Sequence, residues 1–187
     1  MKIRTSVTDP LQIATLDVGD RGGAIGVTFA PGKKQAIAMT GAWDRDLDTD
    51  LAAIHVWGGR HLVTLLESQE FVELGIAHLP ERAKAAGLQW YGMPIADGAA
   101  PDIRFLEQWE QLRLKFAQAL QAGERVVVHC KGGLGRAGTV ACLLLLDSGV
   151  VSDADEAMAR VRVVRPGAVE TLEQEAFLRA RERPIYG

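Results

Sequence analysis

Residues 126–139 constrain the fold more than any other part of the chain; they read Val-Val-Val-His-Cys-Lys-Gly-Gly-Leu-Gly-Arg-Ala-Gly-Thr. A β-branched run, typical of a buried strand, leads to Cys130, and five residues separate Cys130 from Arg136. Three of these five are glycines, whose backbone freedom lets N–H groups turn inward around an anion. The apolar segment from about Ala137 to Leu146 predicts a helix whose N-terminus adds N–H groups and partial positive charge. The pattern predicts a strand, a phosphate-sized anion loop and a helix.

Cys130 and Arg136 have complementary chemistry at such a loop. A free thiol has a pKa of about 8.5, and helix N-termini and nearby cations favour the thiolate, which is the nucleophilic form. Lys131 and Arg136 supply such cations, so we expect a thiolate at Cys130. The planar guanidinium of Arg136 can hold two phosphoryl oxygens at once. The residues predicted to bind the phosphoryl group are His129, Lys131, Gly132, Gly133, Leu134, Gly135 and Arg136, with His129 orienting the loop by hydrogen bonds.

A leaving oxygen needs a proton, and Asp97 is the predicted donor. It follows the strand-like segment 88–95 and stands beside Gly98 in a loop. Loops at the carboxyl ends of strands build active sites in open α/β sheets, and a carboxylic acid within hydrogen-bond reach supplies the proton. The rival is Asp102, which follows Pro101 and is interpreted as a helix start.

These motifs resemble the cysteine-dependent dual-specificity protein phosphatases. His129, Cys130 and Arg136 match that family's loop, and the segment 93–102, Met-Pro-Ile-Ala-Asp-Gly-Ala-Ala-Pro-Asp, resembles its general-acid loop. The segment 165–174, Arg-Pro-Gly-Ala-Val-Glu-Thr-Leu-Glu-Gln, and the early residues 10–13 are similar to the cyclin-dependent-kinase-associated phosphatases within the family. The likeness extends from about residue 10 to residue 180.

The resemblance implies an α/β fold in a single domain, residues 1–187, with a central mixed sheet flanked by helices. It implies hydrolysis of phosphotyrosine through a cysteinyl-phosphate, without metal or cofactor. A shallow cleft would also admit phosphoserine and phosphothreonine. Gln174 matches a glutamine of the family that positions water. The implied partner is a phosphorylated protein or peptide; no kinase partner is transferred, because partner surfaces are not part of the motif.

The sequence departs from the family pattern at two positions. Ala137 stands where the family usually has Ser or Thr, whose hydroxyl assists departure of the thiolate, and Thr139 is two residues further on. Glu170 stands where the resemblance would place Gln. We therefore expect breakdown of the phosphoenzyme to limit turnover.

Length and composition are those of one ordinary globular domain. The 187 residues are 48% hydrophobic and 24% charged, and the net charge of −3 favours neither nucleic acid nor an anionic membrane. No apolar stretch approaches the roughly 18 residues of a membrane span, and no secretory signal is visible. Cys142 is expected to be a core residue, with a disulfide to Cys130 a minor alternative. We predict a cytoplasmic protein, because a thiolate needs a reducing compartment.

The remaining pattern alternates strands and helices, which predicts the α/β class. The predicted strands are 12–16, 24–29, 61–66 and 88–93; the predicted helices are 48–56, 80–86, 102–122, one from Ser152 to Arg165, and 171–181. The apolar stripe of the longest helix is predicted to face the core and comprises Ile103, Leu106, Trp109, Leu112, Phe116 and Leu120. The arginines at 160, 162 and 165 indicate a solvated face or, alternatively, a rim that holds a second anion.

Three other functions fit parts of the pattern. A phosphoinositide phosphatase is one; its loop often carries two lysines, whereas here Lys131 has Leu134 at the later position. A sulfurtransferase with a persulfide cysteine is another, and the Asp97 loop argues against it. A phosphate-binding module without catalysis is the third. It is favoured by Ala137 and Glu170 and opposed by the presence of nucleophile, clamp and acid together.

Overall fold

The computed structural model describes residues 2–181, and fifteen secondary-structure elements lie within them. The strands are β1 Ile3–Arg4, β2 Ala14–Val18, β3 Gly23–Thr28, β4 Lys34–Gln35, β5 Ala42–Asp44, β6 Gly59–Thr64, β7 Gln89–Gly92 and β8 Arg125–His129. The helices are α1 Leu47–Trp57, α2 Ser68–Glu73, α3 Leu79–Ala85, α4 Ile103–Gln121, α5 Gly135–Asp147, α6 Ala154–Val164 and α7 Leu172–Ala180. The predicted α/β fold with a central mixed sheet flanked by helices is confirmed. The predicted domain limits, residues 1–187, extend beyond the described residues.

The main sheet has five strands in the order β2-β3-β8-β6-β7, so β8 is central. Only β2 is antiparallel to its neighbour, and the other pairs are parallel. The register pairs Thr28 with His129, His129 with Thr64, and Thr64 with Gly92. The four parallel strands therefore end level, and the segments that follow them emerge at one edge of the sheet.

Side-chain alternation along β8 divides the core between the two faces of the sheet. Val126 and Val128 pack with α4, α5, α6 and α7, whereas Val127 packs with α1 and α3 on the opposite face. All three valines are fully buried. Burial on both faces explains why this strand is a continuous β-branched run rather than an alternating one.

The structure adds elements that the sequence analysis did not predict. These are a separate three-stranded sheet, β1-β5-β4, and helix α2. These strands have only two or three residues, too few for a periodic signal to emerge. Both additions flank the carboxyl edge of the main sheet.

Two local predictions were wrong. The N-cap of α6 is Asp153, whose side chain accepts from the Glu156 N–H, and not Ser152. Ile103 is 65% exposed, whereas Phe105, outside the predicted stripe, is fully buried. Ile103 is the first residue of α4, whereas Phe105 stacks on the core residue Trp109 with ring centres 5.4 Å apart. Asp102 is the N-cap of α4 and accepts from the Arg104 N–H at 3.0 Å, as its interpretation as a helix start predicted.

No helix within residues 2–181 combines the length and the apolar character needed to cross a bilayer.

Candidate active site

Cys130 follows the last residue of β8 and lies at the floor of the loop that precedes α5. Its side chain is nearly buried, and the Gly133 N–H points at the sulfur, with N to Sγ at 3.2 Å. Gly133 has φ +70°, and a Cβ there would lie 2.5 Å from the backbone of Thr28. Glycine is therefore required at this position both for its conformation and for its close approach to β3.

The loop is held from outside by its carbonyl oxygens. Those of Lys131 and Leu134 accept from the Ala30 and Val169 N–H groups, both at 3.2 Å. Arg165 donates to the carbonyls of Gly132 and Gly133, both at 2.9 Å. Because N–H and C=O point in opposite directions across a trans peptide, the N–H groups of residues 132–135 are turned towards the inside of the loop. The loop thus has the inward donors that an anion site needs.

Arg136 is almost completely buried and is held by a carboxylate that the sequence analysis did not identify. Its Nη1 and Nη2 lie 2.7 and 2.8 Å from the two oxygens of Glu70, and Nη1 also donates to the Ile95 carbonyl at 3.0 Å. Burial opposes the charge on Arg136, but the hydrogen bond to Glu70 and the neighbouring acidic groups together outweigh it, so the pKa of Arg136 is raised. Burial likewise disfavours charge on Glu70, but its hydrogen bond with Arg136 lowers the Glu70 pKa overall. The guanidinium is therefore fixed in plane before any ligand binds.

Asp97 lies at the open side of this arrangement. Its Oδ1 is 3.1 Å from Arg136 Nη2, and its side chain is 71% exposed. The loop that carries it is fixed where it leaves β7, because the Met93 and Ile95 N–H groups donate to Thr64 and Leu65. The structure thus brings together Cys130, Arg136 and Asp97, the three residues predicted to perform the chemistry.

His129 lies beneath the loop rather than among residues that could face a bound anion. It is fully buried, with Nε2 2.7 Å from Thr64 Oγ1 and Nδ1 3.2 Å from the Cys130 carbonyl oxygen. Burial lowers its pKa to about 4, so the ring is neutral near pH 7. Trp90 donates to the same Thr64 hydroxyl, which leaves that hydroxyl to donate to His129. The placement agrees with the predicted orientation of the loop by hydrogen bonds, and a direct part of His129 in substrate binding stays a prediction.

Gln174 is also fully buried, behind the loop at Gly135. Its Oε1 accepts from the Glu170 and Thr171 N–H groups, and its Nε2 donates to the Ala99 carbonyl at 3.1 Å. Gln174 therefore connects α7 to the Asp97 loop. The Gln174 oxygen already accepts two hydrogen bonds, and one amide N–H is donated to Ala99. The predicted contact with water in the site would therefore use the other amide N–H.

The family pattern is broken at Ala137, in the first turn of α5, and at Glu170, which lies against Gly135 at the start of that helix. Ala137 is fully buried, and the Thr139 hydroxyl donates to the Gly135 carbonyl at 2.7 Å, so it is engaged within the helix. A Cβ on Gly135 would lie 2.5 Å from Glu170 Oε2, which places an exposed carboxylate against the loop. Val169, just before it, has φ +59°, a strained conformation for a β-branched residue.

The arginines at 160, 162 and 165 do not form one surface. Arg165 holds the loop carbonyls, and Arg162 donates to the carbonyls of Ala168 and Val169 and pairs with Glu175. Only Arg160, paired with Glu156 one turn away, matches the predicted solvated face. Two of these three side chains therefore stabilise the backbone around the loop, and neither predicted alternative describes them.

Both cysteines are free. Burial among apolar side chains raises the pKa of Cys142 to about 12, as befits the predicted core residue. Among residues 2–181, no three His, Cys, Asp or Glu side chains are grouped so that they could hold a metal ion.

Comparison with known proteins places these features in a family context. The family model described as "Swiss Army Knife protein, DSP-PTPase phosphatase domain" matches residues 36–178. Cyclin-dependent kinase inhibitor 3 of Mus musculus is 30% identical over 135 residues, covering 72% of this chain and 62% of that protein. The chain thus spans less than two thirds of that relative's length. Among solved structures, kinase associated phosphatase has a TM-score of 0.75 at 24% identity, covering 90% of this chain and 92% of the other. Tk-PTP in its active form has a TM-score of 0.65 at 27% identity, covering 92% and 98%.

Proposed function

This chain belongs to the dual-specificity phosphatase domain family that its residues 36–178 match, and from that premise we propose that it hydrolyses phosphate monoesters on proteins through a cysteinyl-phosphate. The substrate class is phosphotyrosine, and phosphoserine or phosphothreonine where the cleft admits them. We propose one catalytic domain over residues 1–187, no requirement for metal or cofactor, and a cytoplasmic site of action. The last follows from a thiolate nucleophile, which needs a reducing compartment.

In the first step, the Cys130 thiolate attacks phosphorus and the bond from phosphorus to the leaving oxygen breaks. Asp97 donates its proton to that oxygen, so a neutral alcohol or phenol departs. The inward N–H groups of the loop and the guanidinium of Arg136 hold the three non-bridging oxygens as charge shifts onto them. Arg136 can do this without reorganising, because Glu70 already fixes its plane.

In the second step, water attacks phosphorus on the side opposite the sulfur, and the sulfur–phosphorus bond breaks. Asp97, now ionised, accepts a proton from the water, and Cys130 leaves as the thiolate. Ala137 offers no hydroxyl to the departing sulfur, and the Thr139 hydroxyl is engaged with Gly135. We therefore propose that this second step limits turnover.

One observation supports catalysis over the alternative functions. Arg136 contacts Asp97, and the helix that carries Arg136 begins at the loop whose Gly133 N–H points at the Cys130 sulfur. A binding module would need the clamp and the inward donors but not a carboxylate beside them. A carboxylate close to a bound dianion weakens binding when ionised, so its presence favours catalysis over storage of an anion.

The test is hydrolysis of a small aryl phosphate without added metal by wild type, Cys130→Ser and Asp97→Ala. We expect turnover by wild type, none by Cys130→Ser and strongly slowed turnover by Asp97→Ala. A wild-type protein that binds vanadate but does not turn over would refute the enzymatic proposal and leave a phosphate-binding module. Phosphotyrosine and phosphothreonine peptides of one sequence, compared as substrates, then separate the two substrate classes.

A further inference from the structure

Lys33 is a buried cation beside the loop that the reaction outlined above does not use. It lies in the turn between β3 and β4, and only 5% of its surface is exposed. Its Nζ donates to the carbonyl oxygen of Lys131, the residue after Cys130, at 3.3 Å. Within residues 2–181, no carboxylate oxygen lies within ion-pair distance of this ammonium. A buried ammonium without a carboxylate is costly, so its position requires an explanation.

Two aromatic rings enclose the ammonium. Nζ is 4.0 Å from the centre of the Trp43 ring and 5.0 Å from that of Phe29, and those two rings contact each other at 5.0 Å between centres. Aromatic faces attract a cation while excluding water from it. The rings therefore offset part of the cost of burial without neutralising the charge, which remains available to the loop.

The backbone around Lys33 is fixed by a second buried group. The Lys33 carbonyl accepts from the Arg45 N–H at 3.2 Å, and the Arg45 guanidinium pairs with Asp50 through two hydrogen bonds of 2.8 and 2.9 Å. Asp50 also accepts from the Gly32 N–H at 2.8 Å. The turn is thus held on both sides of Lys33, and the side chain is directed at the loop rather than to solvent.

The charges around Lys33 explain what the arrangement achieves. The Lys33 pKa is lowered to about 8, mainly by burial and in smaller part by the neighbouring cations Arg45, Lys131 and Arg165. Cys130 is the group that acts in the opposite direction and favours the ammonium. By reciprocity, a charged Lys33 favours negative charge on the Cys130 sulfur.

We propose that Lys33 is a positioning residue for the reaction: its caged ammonium, held against the loop from the turn that follows β3, stabilises the Cys130 thiolate. The inference rests on the proposed function in taking Cys130 as the nucleophile. The ammonium contacts the loop through the Lys131 carbonyl, so it acts through the loop and not on the substrate. A salt bridge to a carboxylate would cancel this effect, whereas an aromatic cage preserves it.

The test is the rate of Cys130 alkylation by iodoacetamide, followed by mass spectrometry, at mildly acidic pH. The reagent reacts with the thiolate, so the rate reports the stabilisation of negative charge on sulfur independently of phosphatase turnover. Lys33→Met removes the charge and keeps a long apolar side chain in the cage, Lys33→Gln does so with a polar group, and Lys33→Arg keeps the charge. Lys34→Met is the matched control, because Lys34 is half exposed and pairs with Asp44.

We expect Lys33→Met and Lys33→Gln to slow alkylation by about three- to tenfold, the effect of one charge acting over several ångströms. Lys33→Arg should retain most of the wild-type rate, and Lys34→Met should retain all of it. Circular dichroism shows which of the two uncharged variants, Lys33→Met and Lys33→Gln, are folded. An unchanged rate of Cys130 alkylation in a folded variant would overturn the inference. So would an equal loss in Lys34→Met. If alkylation behaves as expected but wild type hydrolyses no phosphoester, the proposed function fails and the role of Lys33 at the sulfur stands.

Discussion

The carboxylate of Asp97 and the guanidinium of Arg136 form an ion pair, with Oδ1 3.1 Å from Nη2. The proposed acid therefore contacts the proposed phosphate clamp before substrate is present. Arg136 keeps its second carboxylate partner, Glu70, on the buried side. In the proposed reaction, we expect a phosphoryl group that enters between Cys130 and Arg136 to replace Asp97 on the guanidinium and free it to face the leaving oxygen.

Substitution of Asp97 by Asn should lower kcat by about 10²- to 10⁴-fold, because no acid then protonates the leaving oxygen. The loss should be smaller for an aryl phosphate whose leaving group is a weak base. Vanadate affinity should stay the same or increase, since the substitution removes a negative charge beside the anion. The control is Asp102→Asn, which retains much of the capping ability of Asp102 and should leave kcat unchanged. Equal losses in the two variants would contradict the assignment of the acid.

Substitution of Glu70 by Gln should destabilise the fold by about 3–5 kcal/mol, because Arg136 is left as a buried cation without its main partner. Activity should fall as well, since the two charged hydrogen bonds that fix the plane of the guanidinium are weakened. Asp155→Asn is the matched control, because Asp155 also binds an arginine, Arg179, through two hydrogen bonds, but on the surface. Denaturant unfolding of both variants measures the contrast. A Glu70→Gln protein as stable as Asp155→Asn would show that the buried pair does not hold the clamp.

Substitution of Ala137 by Ser should accelerate breakdown of the phosphoenzyme by supplying a hydroxyl at the first turn of α5. Wild type should release a burst of leaving group equal to the enzyme concentration before a slower steady state. Ala137→Ser should raise the steady-state rate and reduce the burst. Thr139→Ala should change neither, because the Thr139 hydroxyl is engaged with the Gly135 carbonyl. Stopped-flow measurements that find no burst in wild type would refute slow breakdown.

Acid should destabilise the protein through His129. Its pKa is lowered to about 4 by burial, against 6.5 unperturbed, so below pH 6.5 the unfolded chain binds a proton that the folded protein refuses. The free energy of unfolding should therefore fall between about pH 6.5 and 4, by up to about 3 kcal/mol for this residue. Burial also lowers the pKa of His61, which contributes in the same direction. Comparing the pH dependence of the free energy of unfolding between wild type and His129→Asn isolates the contribution of His129. His55→Gln, at an exposed histidine, serves as control.

Removal of the Lys33 charge should stabilise the protein at pH 7 while it slows alkylation of Cys130. With a pKa of about 8 instead of 10.5, the folded protein releases a proton that the unfolded chain keeps. The wild-type free energy of unfolding should thus rise between about pH 8 and 10.5, and Lys33→Met should exceed wild type at pH 7 by about 1–3 kcal/mol. Lys34→Met should follow the wild-type pH dependence. A less stable Lys33→Met protein would indicate a structural lysine instead.

The sequence predicted those parts of the site that lie within one contiguous segment. Cys130, the glycines and Arg136 belong to one strand, loop and helix, and their conformations follow from local preferences of glycine and of β-branched residues. Asp97 was predicted for a similar reason, as a loop residue directly after a strand. Asp102 was interpreted as a helix start, and it is the N-cap of α4, because a helix start also has a local signature.

Glu70 and Lys33 were not predicted as parts of the site, because only tertiary structure relates them to the loop. Glu70 lies 66 positions before Arg136, and Lys33 lies 98 positions before Lys131, whose carbonyl it contacts. One of several carboxylates and one of several lysines carry no local signal of such a role. The cage around Lys33 was missed for the same reason, since Phe29 and Trp43 belong to a strand end and a small separate sheet.

The sequence by itself determined the strand, the anion loop and its thiol, since each depends on residues adjacent in the chain. Tertiary structure alone decided which carboxylate holds Arg136 and which buried lysine contacts the loop. The physical reason is the register of the sheet, which pairs Thr28, His129, Thr64 and Gly92 across four parallel strands. Because those strands end level, the segments after them converge on the loop, and long-range hydrogen bonding selects the partners from residues that local preferences cannot distinguish.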